Sequence, residues 1–380
     1  MNRAIMFLIA LTITAHPGRA QNGSAVEIRI PDIPGYRTLL CDFHAHTVFS
    51  DGAVWPSFRI EEAWRDGLDA IAITDHVEYL PKKEYLRGNR NTSIEIARAT
   101  AKELDIILIP GAEITRRMPP GHLNALFITD AEALMKDDWR EAVRETGRQG
   151  GLLMWNHPGW RSQQPDGIAR WYDEHTEVLQ TGLLAGMEVV NVDDYYPEVF
   201  QWCLDKEIAV MGNSDTHDPI KTEFNEWKLE HRPLTLVFAA ERSSEAIRDA
   251  VVEGRTAVYS RHQLFGKEEY LRALVQASLV WRGTSFAASG RERVRQFVTN
   301  TSDIPFELVL HRQDDAVDLP REITLDPGRT SIFSIRARQD SLNIARTIHA
   351  QYEVKNCFVR PGRNLLIEFP LDVRIVGTKP

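Results

Sequence analysis

An α/β domain built on a parallel sheet, followed by a smaller all-β sandwich, is the architecture this sequence predicts. Three observations carry it. Between residues 37 and 264 short apolar runs alternate with amphipathic stretches, the pattern of strands covered by helices. Those runs are continuously apolar, as strands buried on both faces of a parallel sheet should be, and such a sheet can close into a barrel. After about residue 265 helical patterns give way to short alternating runs separated by turn residues, as in a sandwich.

The elements follow in order. Arg3 precedes an almost wholly apolar stretch from Ala4 to Ala15, and Gly18-Arg19-Ala20 sets small residues at the −3 and −1 positions of a cleavage site. This predicts a signal peptide over 1–20 and an exported protein, because the apolar run is too short for a membrane span. No later stretch is long and apolar enough to span a bilayer. Residues 21–36 read as a polar lead-in. Strands are predicted at 38–43, 69–74, 106–110, 125–128, 151–155, 186–190 and 208–211. Helices are predicted at 56–67, 93–104, within 133–149 and 195–206, and at 243–254, the last with Ser243 as cap and Gly254 as stop. Sandwich strands are predicted at 274–281, 294–300, 306–310, 321–325, 331–337, 348–354 and 365–369.

With 380 residues and a net charge of −9, the chain is long enough for two domains and has no overall basic surface for nucleic acid. Cys41, Cys203 and Cys357 are widely spaced and contain no CxxC, so they read as buried small hydrophobes.

The chemistry concentrates where predicted strands end. His44 and His46 form HxH after the first strand, and residues two apart on an extended chain point to one side. Asp51 follows in Ser50-Asp-Gly52. His76 ends the second strand and Glu113 follows the third. His122 lies just beyond, His157 ends a further strand in Asn156-His-Pro158, and Asp215 and His217 form DxH after another. In a parallel α/β fold the carboxyl ends of the strands share one face, and that face holds the active site. Imidazole and carboxylate without thiolate suit two or three divalent ions such as Zn, Mn or Fe. Each fragment alone is ordinary: HxH is a polar strand end, SDG a turn, NHP a loop. Their shared placement is what points to a metal-dependent hydrolase. His16 lies in the leader, and His175, His231, His262, His311 and His349 read as core or surface residues.

The combination Phe43-His-Ala-His46, Ser50-Asp-Gly52, Thr74-Asp-His76, Gly111-Ala-Glu113, Gly121-His122, Asn156-His157 and Ser214-Asp-Thr-His217 resembles the PHP (polymerase and histidinol phosphatase) family of metallo-phosphoesterases over residues 37–264. The resemblance implies a distorted (βα)7 barrel, here preceding an immunoglobulin-like sandwich over 265–380. It also implies a trinuclear centre: one metal on His44, His46, Glu113 and Asp215; a second on Glu113, His122 and His157; a third on Asp51, His76 and His217. It further implies hydrolysis of a small-molecule phosphomonoester or phosphodiester by a metal-bridging hydroxide. Glu113, Asp215 and His217 would be the residues closest to the reaction, with Asp75 or His217 as acid toward the leaving group. Arg116, Arg117 and Arg161 are candidate phosphate contacts. Export departs from the best-known cytoplasmic roles of the family. Two other readings remain open on the residues alone. One is a metallo-hydrolase of an amide or lactone, as in amidohydrolase barrels, where a Lys usually bridges instead of Glu113. The other is a metal-containing binding protein that uses its β domain.

Overall fold

A computed structural model describes residue 25 and residues 28–224 and 231–378. The predicted leader lies outside the described residues. Among them, no helix is long and apolar enough to cross a membrane.

The first half runs β1 (Arg37–Asp42), α1 (Pro56–Arg65), β2 (Ala70–Ile73), α2 (Thr92–Glu103), β3 (Ile107–Ile114), β4 (Leu123–Leu126), α3 (Trp139–Arg148), β5 (Leu152–Trp155), α4 (Asp173–Gln180), β6 (Leu184–Asn191), β7 (Asp194–Tyr195), α5 (Pro197–Lys206) and β8 (Ala209–Asn213). It continues with α6 (Ile220–Glu223), β9 (Leu234–Ala239), α7 (Ser244–Val252), β10 (Thr256–Ser260) and β11 (Gln263–Gly266). Local chemistry accounts for the helices. Pro56 occupies the first turn of α1, and Ile60 and Ala63 bury one stripe. Ser243 Oγ accepts from Ala246 N–H to cap α7, and Gly254, at φ +65°, ends it.

The sheet is mixed rather than parallel throughout. β1–β2–β3 and β5–β6–β8 are parallel, but β4 runs antiparallel to both β3 and β5. The physical reason is the connection: residues 115–122 are too few for a crossover helix, which takes about a dozen residues or more. On the other side of β1, β9 and β10 are also antiparallel. β8 is held against β9 by Thr235 Oγ1, which accepts from Gly212 N–H at 3.0 Å and donates to Gly212 O at 2.9 Å. Gly212 is needed there, since a Cβ would run into Val258 of β10. β9, β10 and α4 escaped the sequence reading.

The second half comprises α8 (Glu268–Ser278), β12 (Leu279–Trp281), β13 (Ser285–Ser289), β14 (Arg293–Asn300), β15 (Phe306–Leu310), β16 (Val317–Asp318), β17 (Glu322–Leu325), β18 (Thr330–Ala337), β19 (Ile344–Arg360) and β20 (Arg363–Val376). The strand predicted at 274–281 is corrected: most of it belongs to α8. Leu271, Leu274, Val275 and Ser278 are buried at helical spacing, and Glu268 and Glu269 stabilise the first turn. A reading that starts at Leu274 cuts that stripe in half. β12, β14, β18 and β16 form one layer; β13, β20, β19, β15 and β17 form the other. β11 pairs in parallel with β19, so the barrel sheet runs on into the sandwich. The expected boundary between residues 264 and 265 thus falls inside a strand, with Phe265 stacked on Phe358 at 5.1 Å. The lead-in also packs, burying Ile30 and Ile33 in the shared core. The three cysteines are free and buried.

Candidate metal centre

The predicted ligands converge. His44 Nε2 and His46 Nε2 lie 3.1 Å apart, and each lies 3.1 Å from Asp215 Oδ1. Glu113 sits at the middle with its oxygens facing opposite ways. Oε1 is 2.9 Å from His122 Nδ1, 3.4 Å from His157 Nε2 and 3.7 Å from His44 Nε2; Oε2 is 2.7 Å from His76 Nδ1 and 3.5 Å from His46 Nε2. Asp51 stands farther out, 3.4 Å from His76 and 3.3 Å from His217. All of these side chains except Asp51, Asp215 and His217 are buried almost completely.

The loops that deliver them are built for it. The ends of β1 and β8 are stitched by His46 N–H to Thr216 O and Asp215 N–H to His44 O. His157 and Asp215 both take left-handed backbone, at φ +27° and +50°, which non-glycine residues rarely adopt. His157 is held there by donating its N–H to Glu188 Oε2 at 2.6 Å. Asp75 accepts from Thr47 N–H, Thr47 Oγ1 and Ser50 Oγ, each at 2.7 Å, and so fixes the loop that carries His46 and Asp51. Its oxygens are occupied in shaping that loop.

Several supporting residues were not singled out in the sequence. Glu188 is fully buried in β6; its carboxylate accepts from His44 Nδ1 at 2.9 Å, Asn213 Nδ2 at 3.0 Å and Asn191 Nδ2 at 2.9 Å. The bond to Nδ1 fixes the His44 tautomer and leaves Nε2 free to face the cluster. Asn156 Nδ2 donates to Glu113 Oε1 at 2.8 Å. Arg59, buried on α1, donates to the carbonyls of His46, His217 and Asp218 and pairs with Glu62 at 2.6 Å. Glu188 is a charged residue inside an otherwise apolar strand and Arg59 one on the buried side of a helix, whereas Asn156 carries no such signal.

The proton affinities reflect the crowding. Burial alone would raise the Glu113 carboxyl, but the His76, His122 and His44 rings hold it well below the usual range. Burial opposes charge on His76 as well, yet Glu113 and Asp51 push it up to about 10. The same balance, with Asp51 and Asp215 as partners, raises His217 to about 9. His46 goes the other way: burial, only partly offset by Asp215, lowers it to about 4.

These residues fit divalent cations. Asp51 Oδ1 and Glu113 Oε2 are buried and accept no hydrogen bond of good geometry. The His76 nitrogen nearest Glu113 is instead aligned on Thr115 Oγ1 at 2.7 Å. Two imidazole nitrogens and a carboxylate oxygen within 3.1 Å of one another match neighbouring corners of a zinc tetrahedron, about 3.3 Å apart for ligands at about 2.0–2.1 Å. Four overlapping groups could each hold an ion: His46, Asp51, His76 and His217; His44, His157 and Asp215; His44, His46 and Glu113; His76, Glu113 and His122. This grouping differs in detail from the set implied by resemblance. His46 also faces the outer site, and His157 sides with His44 and Asp215.

A PHP-domain model matches residues 42–199, and an Ig-like-domain model matches residues 283–370. A crystal structure from Bacteroides vulgatus, described as a two-domain protein containing a predicted PHP-like metal-dependent phosphoesterase, is 42% identical. It covers 91% of this chain and 99% of that one, with a TM-score of 0.86. The chain belongs to the PHP-domain family. An uncharacterized protein of Methanocaldococcus jannaschii is 41% identical over 81 residues, 21% of this chain, and the match spans about a third (34%) of that relative's length. In this chain a ligand-capable side chain at each position that the motifs nominated falls in one set of overlapping groups.

The arginines stand less close to expectation. Arg116 pairs with Glu78 at 2.9 Å and donates to Lys136 O, so its guanidinium is already engaged. Arg117 and Arg161 are exposed; Arg161 makes a long 3.5 Å bond to Pro165 O. His175, read as a core or surface residue, belongs to the core: it is buried and stacks on Trp155 at 3.7 Å.

Proposed function

We propose that this PHP protein is an exported phosphoesterase that hydrolyses a small-molecule phosphomonoester or phosphodiester at a trinuclear centre. The observation that supports it best is the position of Glu113, fully buried, with its two oxygens facing two different histidine groups. A carboxylate so placed suits a bridge between ions. Bound metals would supply Lewis acidity and, as the resemblance implies, a bridging hydroxide available near neutral pH. The protein's own part is to hold six imidazoles in fixed tautomers around Glu113 and Asp215, and to keep Asp51 and His217 at the solvent edge. His217, side chain 36% exposed, is the most open of these side chains; left unligated, its Nε2 would be the group placed to exchange a proton with a departing group, since Nδ1 is held by Asp215 O at 2.7 Å. Arg117 and Arg161, both exposed, are the cations from which phosphate contacts would be drawn. Residues 37–264 form the catalytic unit in this reading, and the sandwich serves as scaffold. Export rests on the leader pattern in residues 1–20, and the mature chain is expected to begin at Gln21.

The deciding experiment measures metal content of the purified protein and turnover of a panel of phosphomonoesters and diesters with added Mn or Zn. Wild type should carry more than one ion per chain. Glu113→Ala should lose about a thousandfold or more in kcat/KM, several kcal/mol of transition-state stabilisation. Equal turnover by both proteins, or less than one ion per wild-type chain, would overturn the reading. N-terminal sequencing of the exported protein tests the leader: an intact Met1 would refute cleavage.

A further inference from the structure

The row of rings at the centre does not stop at the ligands. Tyr79, His76, His122 and Trp160 follow one another with ring centroids 5.9, 5.8 and 5.6 Å apart, and Trp160 also lies 5.3 Å from His157. The inner two are buried ligand candidates; the outer two, Tyr79 and Trp160, are 52% and 40% exposed. Single exposed aromatics are common on protein surfaces and need no explanation. Trp160 differs because the turn that carries it is pinned. Its N–H donates to His157 O at 2.9 Å, and its carbonyl accepts from Gln163 N–H at 2.9 Å and Gln164 N–H at 2.7 Å. Gln163 Nε2 then donates to Arg116 O at 3.0 Å, tying this turn to the loop that delivers His122. Gly159 leaves no room for a side chain: a Cβ would sit 2.6 Å from Gly167 O and 2.7 Å from the Tyr196 ring. The backbone on both sides of Trp160 is therefore fixed by the same turn that places His157. A large apolar ring, still 40% exposed, stands against His122 and His157, beside the point where a phosphoryl group would bind.

We propose that Trp160 is the stacking platform of a leaving-group subsite, with Tyr79 marking the far end of the same row. The substrate class it selects is a phosphoester whose leaving group carries a flat aromatic or heteroaromatic ring, in preference to an open-chain alkyl or polyol phosphate. Offset or edge-to-face contact with such a ring satisfies the exposed indole face. This inference rests on the phosphoryl-binding reading of the metal centre.

Calorimetric titration of the metal-loaded protein with methylphosphonate and phenylphosphonate separates the two ideas, because neither ligand is turned over. Methylphosphonate reports the phosphoryl site alone; the ratio of the two Kd values reports the platform. Wild type should bind phenylphosphonate about three- to tenfold more tightly, the size of one aromatic pair. Trp160→Ala should bring the ratio close to one while leaving the methylphosphonate Kd within about twofold, and Trp160→Phe should keep most of the preference. An unchanged ratio in Trp160→Ala would overturn the subsite and leave the phosphoryl site standing. Failure of wild type to bind either phosphonate would overturn both.

Discussion

The rim of the barrel and the core of the sandwich are stabilised on opposite terms. Around Phe333, fully buried, the sandwich packs Trp281, Phe286 and Tyr352 at ring distances of 5.1, 6.1 and 6.0 Å, and its charges sit in exposed pairs such as Lys355–Glu353. That core is complete as it stands. The rim instead buries Glu113, Glu188 and a set of imidazoles around them, with Glu113 Oε2 and Asp51 Oδ1 left without hydrogen-bond partners. Buried carboxylates are costly unless paired, so the rim depends on positive charge, from protonated imidazoles or from cations that its side chains could hold. One region depends on shape and the other on charge, though a single sheet joins them through β11 and β19.

The largest test of that contrast is on the shape side. Phe333→Ala should cost about 3–5 kcal/mol of unfolding free energy, read by urea denaturation, because it opens a cavity among rings that cannot close in. Metal content of the folded fraction should not change. A parallel fall in bound metal would mean that the two regions are not independent.

The same contrast explains what could be read from the sequence. The candidate ligands were legible because strand ends are marked by apolar runs, and so many His and carboxylate residues sharing that placement stand out together. His44, His46 and Asp215 needed only that logic. Glu188 was not legible, since its role depends on β6 and β8 lying side by side, which brings it to Asn213 and His44. Nor was the reversal at β4, where the shortness of the 115–122 connection outweighed the expectation of parallel neighbours. Most sandwich strands alternated clearly enough to be found, β13 and β16 excepted. α8 was missed because Leu274 to Trp281 holds the second half of a helix and the start of β12, and periodicity alone does not divide them. Arg59 and Arg232 drew no comment in the sequence; both are buried, Arg232 against Asp42 at 3.1 Å and Asp66 at 2.7 Å.

Glu188→Gln probes the charge side one step back from the ligands. It keeps the shape of the side chain but puts an amide donor among groups that all donate: His44 Nδ1, His157 N–H, Asn191 and Asn213. Metal affinity, measured by competition with a chelator, should fall about 10–100-fold, with urea stability of the sandwich unmoved. Unchanged affinity would show that His44 needs no anchor behind it.

The smallest expected effect is a pH slope, and its sign distinguishes a proton-filled rim from a metal-filled one. His76 and His217, raised to about 10 and 9, stay charged in the metal-free protein at neutral pH. Their folded values exceed the unfolded value near 6.5, so the stability they give is fully present below about pH 6.5 and is lost as pH rises through about 9–10. An ion entering the outer site beside Asp51 must displace those protons, and so binds better as pH rises. Apparent metal affinity should therefore increase by about tenfold per pH unit for each proton displaced between pH 7 and 9. Over the same range the metal-free protein loses stability, and the gain in Tm on adding Zn or Mn widens. Calorimetric titrations in buffers of different ionisation enthalpy count the protons directly. If no protons are released at pH 7, the rings are already neutral, and the rim holds its geometry without the charge that sets it apart from the sandwich.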